Sequence, residues 1–227
     1  MNNGNGLKPY EGSQIRAVIL DYGEVLCVRP KPDALLPMAK IFGIEPARFF
    51  ELYGGSRDPY DQGMITPEEY WQDFARRAGV RVDQELIGRL RSLDTEMWSS
   101  TNPEMLQWVA MLDESGLTTA LLSNMQHDMA SHARKNFPWL RHFDHQILSC
   151  EVKLIKPDPA IFRESIERIG AKPKEILFVD DRQANIDAAK STGIAAIRFE
   201  STKQLREELR DMKFPVLPPA LAKDELA

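Results

Sequence analysis

The chain has 227 residues, 43% hydrophobic and 28% charged, with a formal net charge of −5 at pH 7. This is the composition of an ordinary globular protein. The 29 basic residues form no long patch, which speaks against a nucleic-acid partner. No segment approaches the unbroken apolar length of a membrane span, and Met1 to Gly12 is polar and lacks the apolar core of a signal peptide. Cys27 and Cys150 are too few for a disulfide scaffold and point to a reducing, cytoplasmic setting.

In chain order, the apolar run Ile15 to Leu20 predicts a buried parallel strand ending in Asp21. Pro30 and Pro32 then break the chain, and helix signals dominate to about residue 113. Ala34 to Gly43 reads as a short amphipathic helix with a glycine stop, and Pro46 sits where a first helical residue would, ahead of Phe49, Phe50 and Leu52. Thr66-Pro67-Glu68-Glu69 is a capping box for a helix that buries Tyr70, Phe74 and Ala78 and stops at Gly79. Behind Asp83, helical periodicity continues through Leu86, Ile87, Leu90, Leu93 and Met97, and Asn102-Pro103 starts another helix that ends at Gly116.

From there the rhythm alternates. Strands are expected at Thr118 to Ser123, Gln146 to Ser149, Glu175 to Asp180 and Ala195 to Phe199. Helices are expected at Asp128 to Phe137, from Asp158-Pro159 to Gly170, Gln183 to Thr192 and Thr202 to Met212. Alternation of this kind implies an α/β fold with a Rossmann-like parallel sheet covered on both faces. The helical block between the first two strands is too long for a crossover and reads as an inserted cap domain. The expected division is a core of residues 13–29 and 100–213, a helical cap of residues 30–99, and flexible tails at residues 1–12 and 214–227.

Four expected strand ends carry polar groups: Asp21, Ser123-Asn124, Lys156 shortly after the third strand, and Asp180-Asp181. In a parallel sheet these ends share one edge, where ligands of open α/β sheets sit. Each has a plainer reading alone: a turn at Asp21, a helix cap at Ser123-Asn124 and at Asp180-Asp181, an exposed loop at Lys156-Pro157. Together, carboxylates suit Mg²⁺, a hydroxyl with its neighbouring backbone amide suits a phosphate oxygen, and a lysine adds a compact positive charge. An aspartate can also act as a nucleophile. His127, His132, His142 and His145 lack the spacing of a helical metal pair, and Trp98, Trp108 and Trp139 read as packing residues.

The set resembles the haloacid dehalogenase superfamily with a helical cap inserted after the first motif. Asp21-Tyr22-Gly23-Glu24-Val25-Leu26, Leu121 to Asn124, Lys156 to Phe162 and Phe178 to Asn185 are similar to its four motifs, and Asp61 to Thr66 to a recurrent cap stretch. Gly23 and the Asp-Asp-x-x-x-Asn ending look most like a sugar-phosphate phosphatase branch, which includes glucose-1-phosphate phosphatases and the N-terminal phosphatase domain of soluble epoxide hydrolases. The resemblance implies a phosphatase acting on a small phosphorylated molecule with Mg²⁺. It implies Asp21 as nucleophile, Asp21, Asp181 and the Gly23 carbonyl as metal ligands, and Ser123, Asn124 and Lys156 around the phosphoryl group. Asp180 would orient Lys156 or a metal-bound water. Gly23 is a departure, because the usual motif has there a second aspartate that acts as general acid and base. A dehalogenase of the same fold and a catalytically silent binding module are the competing expectations. Nothing in the pattern specifies an oligomer.

Overall fold

A computed structural model of the chain describes residues 14–55 and 57–220. Its centre is β1 (Ala17–Leu20), fully buried along its length. A strand with both faces covered needs a continuous apolar run instead of an alternation, and Ala17-Val18-Ile19-Leu20 supplies one. The chain then enters a helical block: α1 (Leu36–Phe42), α2 (Pro46–Gly54), α3 (Arg57–Asp61), α4 (Pro67–Ala78) and α5 (Gln84–Met97). It returns through α6 (Pro103–Glu114), β2 (Thr118–Ser123), α7 (His127–Asn136), β3 (His145–Leu148) and a helical turn α8 (Ser149–Val152). The remainder is α9 (Pro159–Ile169), β4 (Ile176–Asp180), α10 (Gln183–Ser191), β5 (Ala195–Arg198) and α11 (Thr202–Asp211).

All five strands are parallel, in the order β3-β2-β1-β4-β5. The order reverses at β1, so the residue that follows it sits at the crevice where the chain crosses from one side of the sheet to the other. One face of β1, Val18 and Leu20, packs in a core with Trp108, Val109 and Leu112 of α6 and Leu205 and Leu209 of α11. The other face, Ala17 and Ile19, packs with Ile161 and Phe162 of α9 and Ile186 and Ala189 of α10.

The helical block buries a separate cluster that contains no strand residue, including Met38, Phe42, Phe49, Trp71, Phe74 and Leu90. Its local signals behave as written in the sequence. Thr66 caps α4, with its hydroxyl accepting from Glu69 N–H (3.1 Å) while Glu69 accepts from Thr66 N–H (2.7 Å). Gly43 and Gly79 take left-handed conformations at the ends of α1 and α4, closed to most L-residues. The two connections to the sheet run side by side, with Val28 N–H donating to Ser100 O (2.8 Å) and Asn102 N–H to Leu26 O (2.8 Å).

Two expectations need correction. The third strand ends at Leu148, because Ser149 begins α8 and turns its hydroxyl toward the Met125 N–H (2.9 Å) and the Asp61 carbonyl. The expected tail from residue 214 is packed over its first part: Phe214 and Val216 are buried, and the Trp108 indole N–H donates to Val216 O (2.8 Å). A buried indole N–H requires an acceptor, and this segment supplies it. The expected tails at residues 1–12 and 221–227 lie outside the described residues.

Candidate active site

A cleft of about 840 Å³ opens at the C-terminal edge of the sheet. Asp21, Ser123, Asn124, Lys156 and Asp181 line it from the sheet, and Phe50, Tyr53, Gly54 and Arg57 line it from the helical block.

Asp21 is fixed at once after β1. Its N–H donates to Val179 O of β4 (3.0 Å), and its Oδ1 accepts from the Tyr22 N–H (2.7 Å) and lies 2.7 Å from Lys156 Nζ. Lys156 is almost wholly buried, and its ammonium also reaches Asp180 Oδ2 (2.7 Å) and Leu122 O (3.0 Å), so all three of its hydrogens have acceptors. Burial favours its neutral form, but the Asp180 and Asp21 carboxylates prevail and raise its pKa above the ordinary value.

Asp180 is saturated. Besides Lys156 it accepts from the Arg182 N–H (2.8 Å) and twice from the Asn185 amide (2.9 and 3.0 Å). Asp181 is half-buried, and burial, then the charges of Asp180 and Glu24, push its pKa up to about 6. Burial likewise pushes Asp21 up to about 7, with Asp180 and Asp181 adding to the rise and Lys156 opposing it.

Asp21, Asp180 and Asp181 each offer a carboxylate oxygen, all within 4.8 Å of one another. Three carboxylates facing one ammonium leave excess negative charge, and the donors are hard oxygens, as Mg²⁺ requires. Since Asp180 is saturated, Asp21 Oδ2 and Asp181 are the oxygens left for a cation. The residues fit a hard divalent ion.

Ser123 ends β2, buried in the cleft wall. Asn124, the next residue, is held through its side chain. Its amide donates to Lys156 O (2.9 Å) and its Oδ1 accepts from Lys156 N–H (2.9 Å). The side chain is thus committed to bracing the Lys156 backbone. At Gly23 the backbone (φ −60°, ψ 123°) is open to any residue, whereas Glu24 stands at φ 54° with its carboxylate paired to Arg29. His132 approaches Ser99 and His142 pairs with Asp113; among the described residues, Asp21, Asp180 and Asp181 form the one cluster with metal-holding geometry.

A second polar group escaped the sequence reading. Arg57 donates to both oxygens of Asp94 (3.0 and 2.9 Å) and to Asp61 (3.0 Å), with its guanidinium 4.7 Å from the Tyr53 ring centre. Asp94, fully buried, also accepts from Tyr53 OH and from Gln126 Nε2 (3.1 Å), the latter from the loop after β2. Arg91 joins the same two parts through a two-pronged pair with Asp128 (2.7 Å each). The available signal was a charge on an apolar stripe: Asp94 follows Ile87 and Leu90 at helical spacing.

Comparison with known proteins fits this geometry. Bifunctional epoxide hydrolase 2 of Mus musculus is 33% identical over 167 residues, 70% of this chain and 30% of that protein. (S)-2-haloacid dehalogenase 4A of Burkholderia cepacia is 28% identical over 196 residues, 82% of this chain and 83% of that one. The chain spans only 19–31% of the length of the mammalian relatives it matches. A solved HAD family enzyme of Bacteroides thetaiotaomicron, in complex with magnesium and inorganic phosphate, superposes with a TM-score of 0.69 at 25% identity, covering 82% of this chain and 94% of that one. The family model for haloacid dehalogenase-like hydrolases matches residues 15–193. With four motif segments gathered on one sheet edge, this chain belongs to the haloacid dehalogenase-like hydrolases.

Proposed function

We propose that the protein is a Mg²⁺-dependent phosphatase of the cytoplasm that hydrolyses a small phosphomonoester, a sugar phosphate being the leading class. The observation that carries this reading is Lys156 held between Asp21 and Asp180, with Asp181 alongside as a spare oxygen donor. Asp21 attacks phosphorus, the bond to the leaving oxygen breaks, and the phosphoryl group passes to the carboxylate as an aspartyl-phosphate. Water then attacks that phosphorus and releases inorganic phosphate with Asp21 restored. Lys156 screens the charge between carboxylate and phosphoryl oxygens, and Asp180 holds Lys156 in place. Ser123 Oγ and the Asn124 main-chain N–H bind phosphoryl oxygens.

Asp21, Asp181 and the Gly23 carbonyl would hold Mg²⁺, which when bound neutralises charge on the phosphoryl oxygens. In support, a structural neighbour was solved with magnesium and inorganic phosphate. Residues 30–99 serve as a lid that excludes water and presents Phe50, 65% exposed, to the leaving group.

Gly23 favours a second reading, a dehalogenase in which Asp21 attacks carbon, since that chemistry needs no second aspartate. A metal-holding acidic set has no use there. A panel of phosphomonoesters assayed with Mg²⁺ and with EDTA separates the two. The phosphatase reading expects turnover that the chelator abolishes. No turnover of any phosphomonoester, or activity on 2-haloacids indifferent to EDTA, overturns it.

A further inference from the structure

Beyond the reacting centre, three arginines reach the same cleft from three separate parts of the chain. Arg29 follows the first motif, Arg182 follows Asp181, and Arg198 ends β5 beside Asp180 in the strand register. All three are exposed, so they form a cationic mouth on the sheet side.

They differ in what already holds them. Arg29 is paired to Glu24. Arg198 donates through Nε to Asp181 O (3.1 Å), and Glu200 stands 3.8 Å from its Nη1, an exposed and weak pair. Arg182 uses its main-chain N–H on Asp180, while its guanidinium has no carboxylate within ion-pair distance among the described residues. Arg182 therefore lines the cleft as an exposed residue whose five side-chain donors have no acceptor among the described residues.

The scissile phosphoryl group does not call for these charges. Its compensation is deeper, at Lys156 and at the cation that Asp21 and Asp181 would hold. Among the described residues of the opposite wall, Asp58 is the one anion left for the arginines to answer, since Asp61 is taken by Arg57. A fork of donors at the mouth, with the reacting phosphate already served, fits a second oxyanion on the leaving group.

We infer that the substrate is a phosphomonoester whose leaving group bears a second oxyanion, a carboxylate or a further phosphate, received by Arg182 with Arg198 beside it. This rests on the phosphatase reading above. It differs from general electrostatic attraction, which scales with an ester's net charge and is indifferent to whether Arg or Lys supplies the cation.

The test compares phenyl phosphate with 4-carboxyphenyl phosphate, with Mg²⁺, in the wild type, Arg182→Gln and Arg182→Lys. The readout is the ratio of the two kcat/KM values, so that leaving-group chemistry cancels between enzymes. Arg182→Gln is expected to lower the ratio about fivefold to tenfold, the size of one partly exposed charge-assisted contact. Arg182→Lys should restore part of it, and the wild-type ratio should shrink as salt rises. A ratio unmoved by Arg182→Gln overturns the inference, whatever happens to the separate rates.

If neither ester is turned over, the phosphatase reading has failed and binding decides this one. Calorimetry with Mg²⁺ should then show 3-carboxypropylphosphonate binding at least fivefold tighter than propylphosphonate in the wild type and no tighter in Arg182→Gln. Equal binding in the wild type, or a preference that survives the substitution, overturns it.

Discussion

Restoring the absent carboxylate, Gly23→Asp, interrogates the site most directly. The backbone at Gly23 is open to any residue, and a Cβ there would meet nothing nearer than Asp21 Oδ2, at 3.7 Å. The variant should therefore fold. Its cost is electrostatic, because the new charge joins three carboxylates and a single ammonium. Two like charges about 5 Å apart repel by about 3 kcal/mol at an effective dielectric constant of 20. Loss of glycine's freedom in the unfolded chain returns about 0.4–1 kcal/mol. The metal-free variant is thus expected to be about 2 kcal/mol less stable than the wild type, and Mg²⁺ should narrow that gap.

The gain is catalytic. In the wild type no carboxyl at position 23 protonates the leaving oxygen or activates water, so alkyl esters should react slowly. Aryl esters should show a burst of product near one equivalent of enzyme before a slower steady rate. A positioned acid and base contributes about 10²–10⁴ in rate. Gly23→Asp should shrink the burst and raise alkyl-phosphate turnover by about 10² or more. Thermal unfolding with and without Mg²⁺, and rapid mixing with an aryl ester, measure the two effects. A folded, Mg²⁺-binding variant whose alkyl turnover stays at or below the wild-type level would refute the reasoning.

Asp21→Asn, nearly isosteric, is expected to remove turnover without altering circular dichroism; retained wild-type activity would show that another group attacks. Asp94→Ala leaves the buried Arg57 with Asp61 alone, which should cost about 3–5 kcal/mol in urea unfolding; a loss under about 1 kcal/mol would mean that the cluster contributes little to the fold. Ending the chain at Lys213 removes Phe214 and Val216 from the core and takes the acceptor from the Trp108 indole. A loss of about 2–4 kcal/mol is expected, and an unchanged melting temperature would show that the packed segment adds nothing.

What the amino-acid order determined by itself is whatever a few consecutive residues encode. The Thr66 capping box, the glycine stops at Gly43 and Gly79, and the continuous apolar run of β1 each rest on chemistry within one turn or one strand. The alternation of strands and helices implied a parallel sheet, and thereby a common edge for Asp21, Ser123, Lys156 and Asp181. What only the tertiary structure decided is which partner each polar group takes across the fold. Asn124 turns to the Lys156 backbone, 32 positions away, and Asp94 meets Arg57 and Gln126 at separations of 37 and 32. The segment at Val216 is packed where a tryptophan 108 positions earlier finds its acceptor. A buried donor or acceptor must be satisfied by whatever the fold brings within about 3 Å. That neighbour is set by the packing of helices on the sheet and has no counterpart in local sequence.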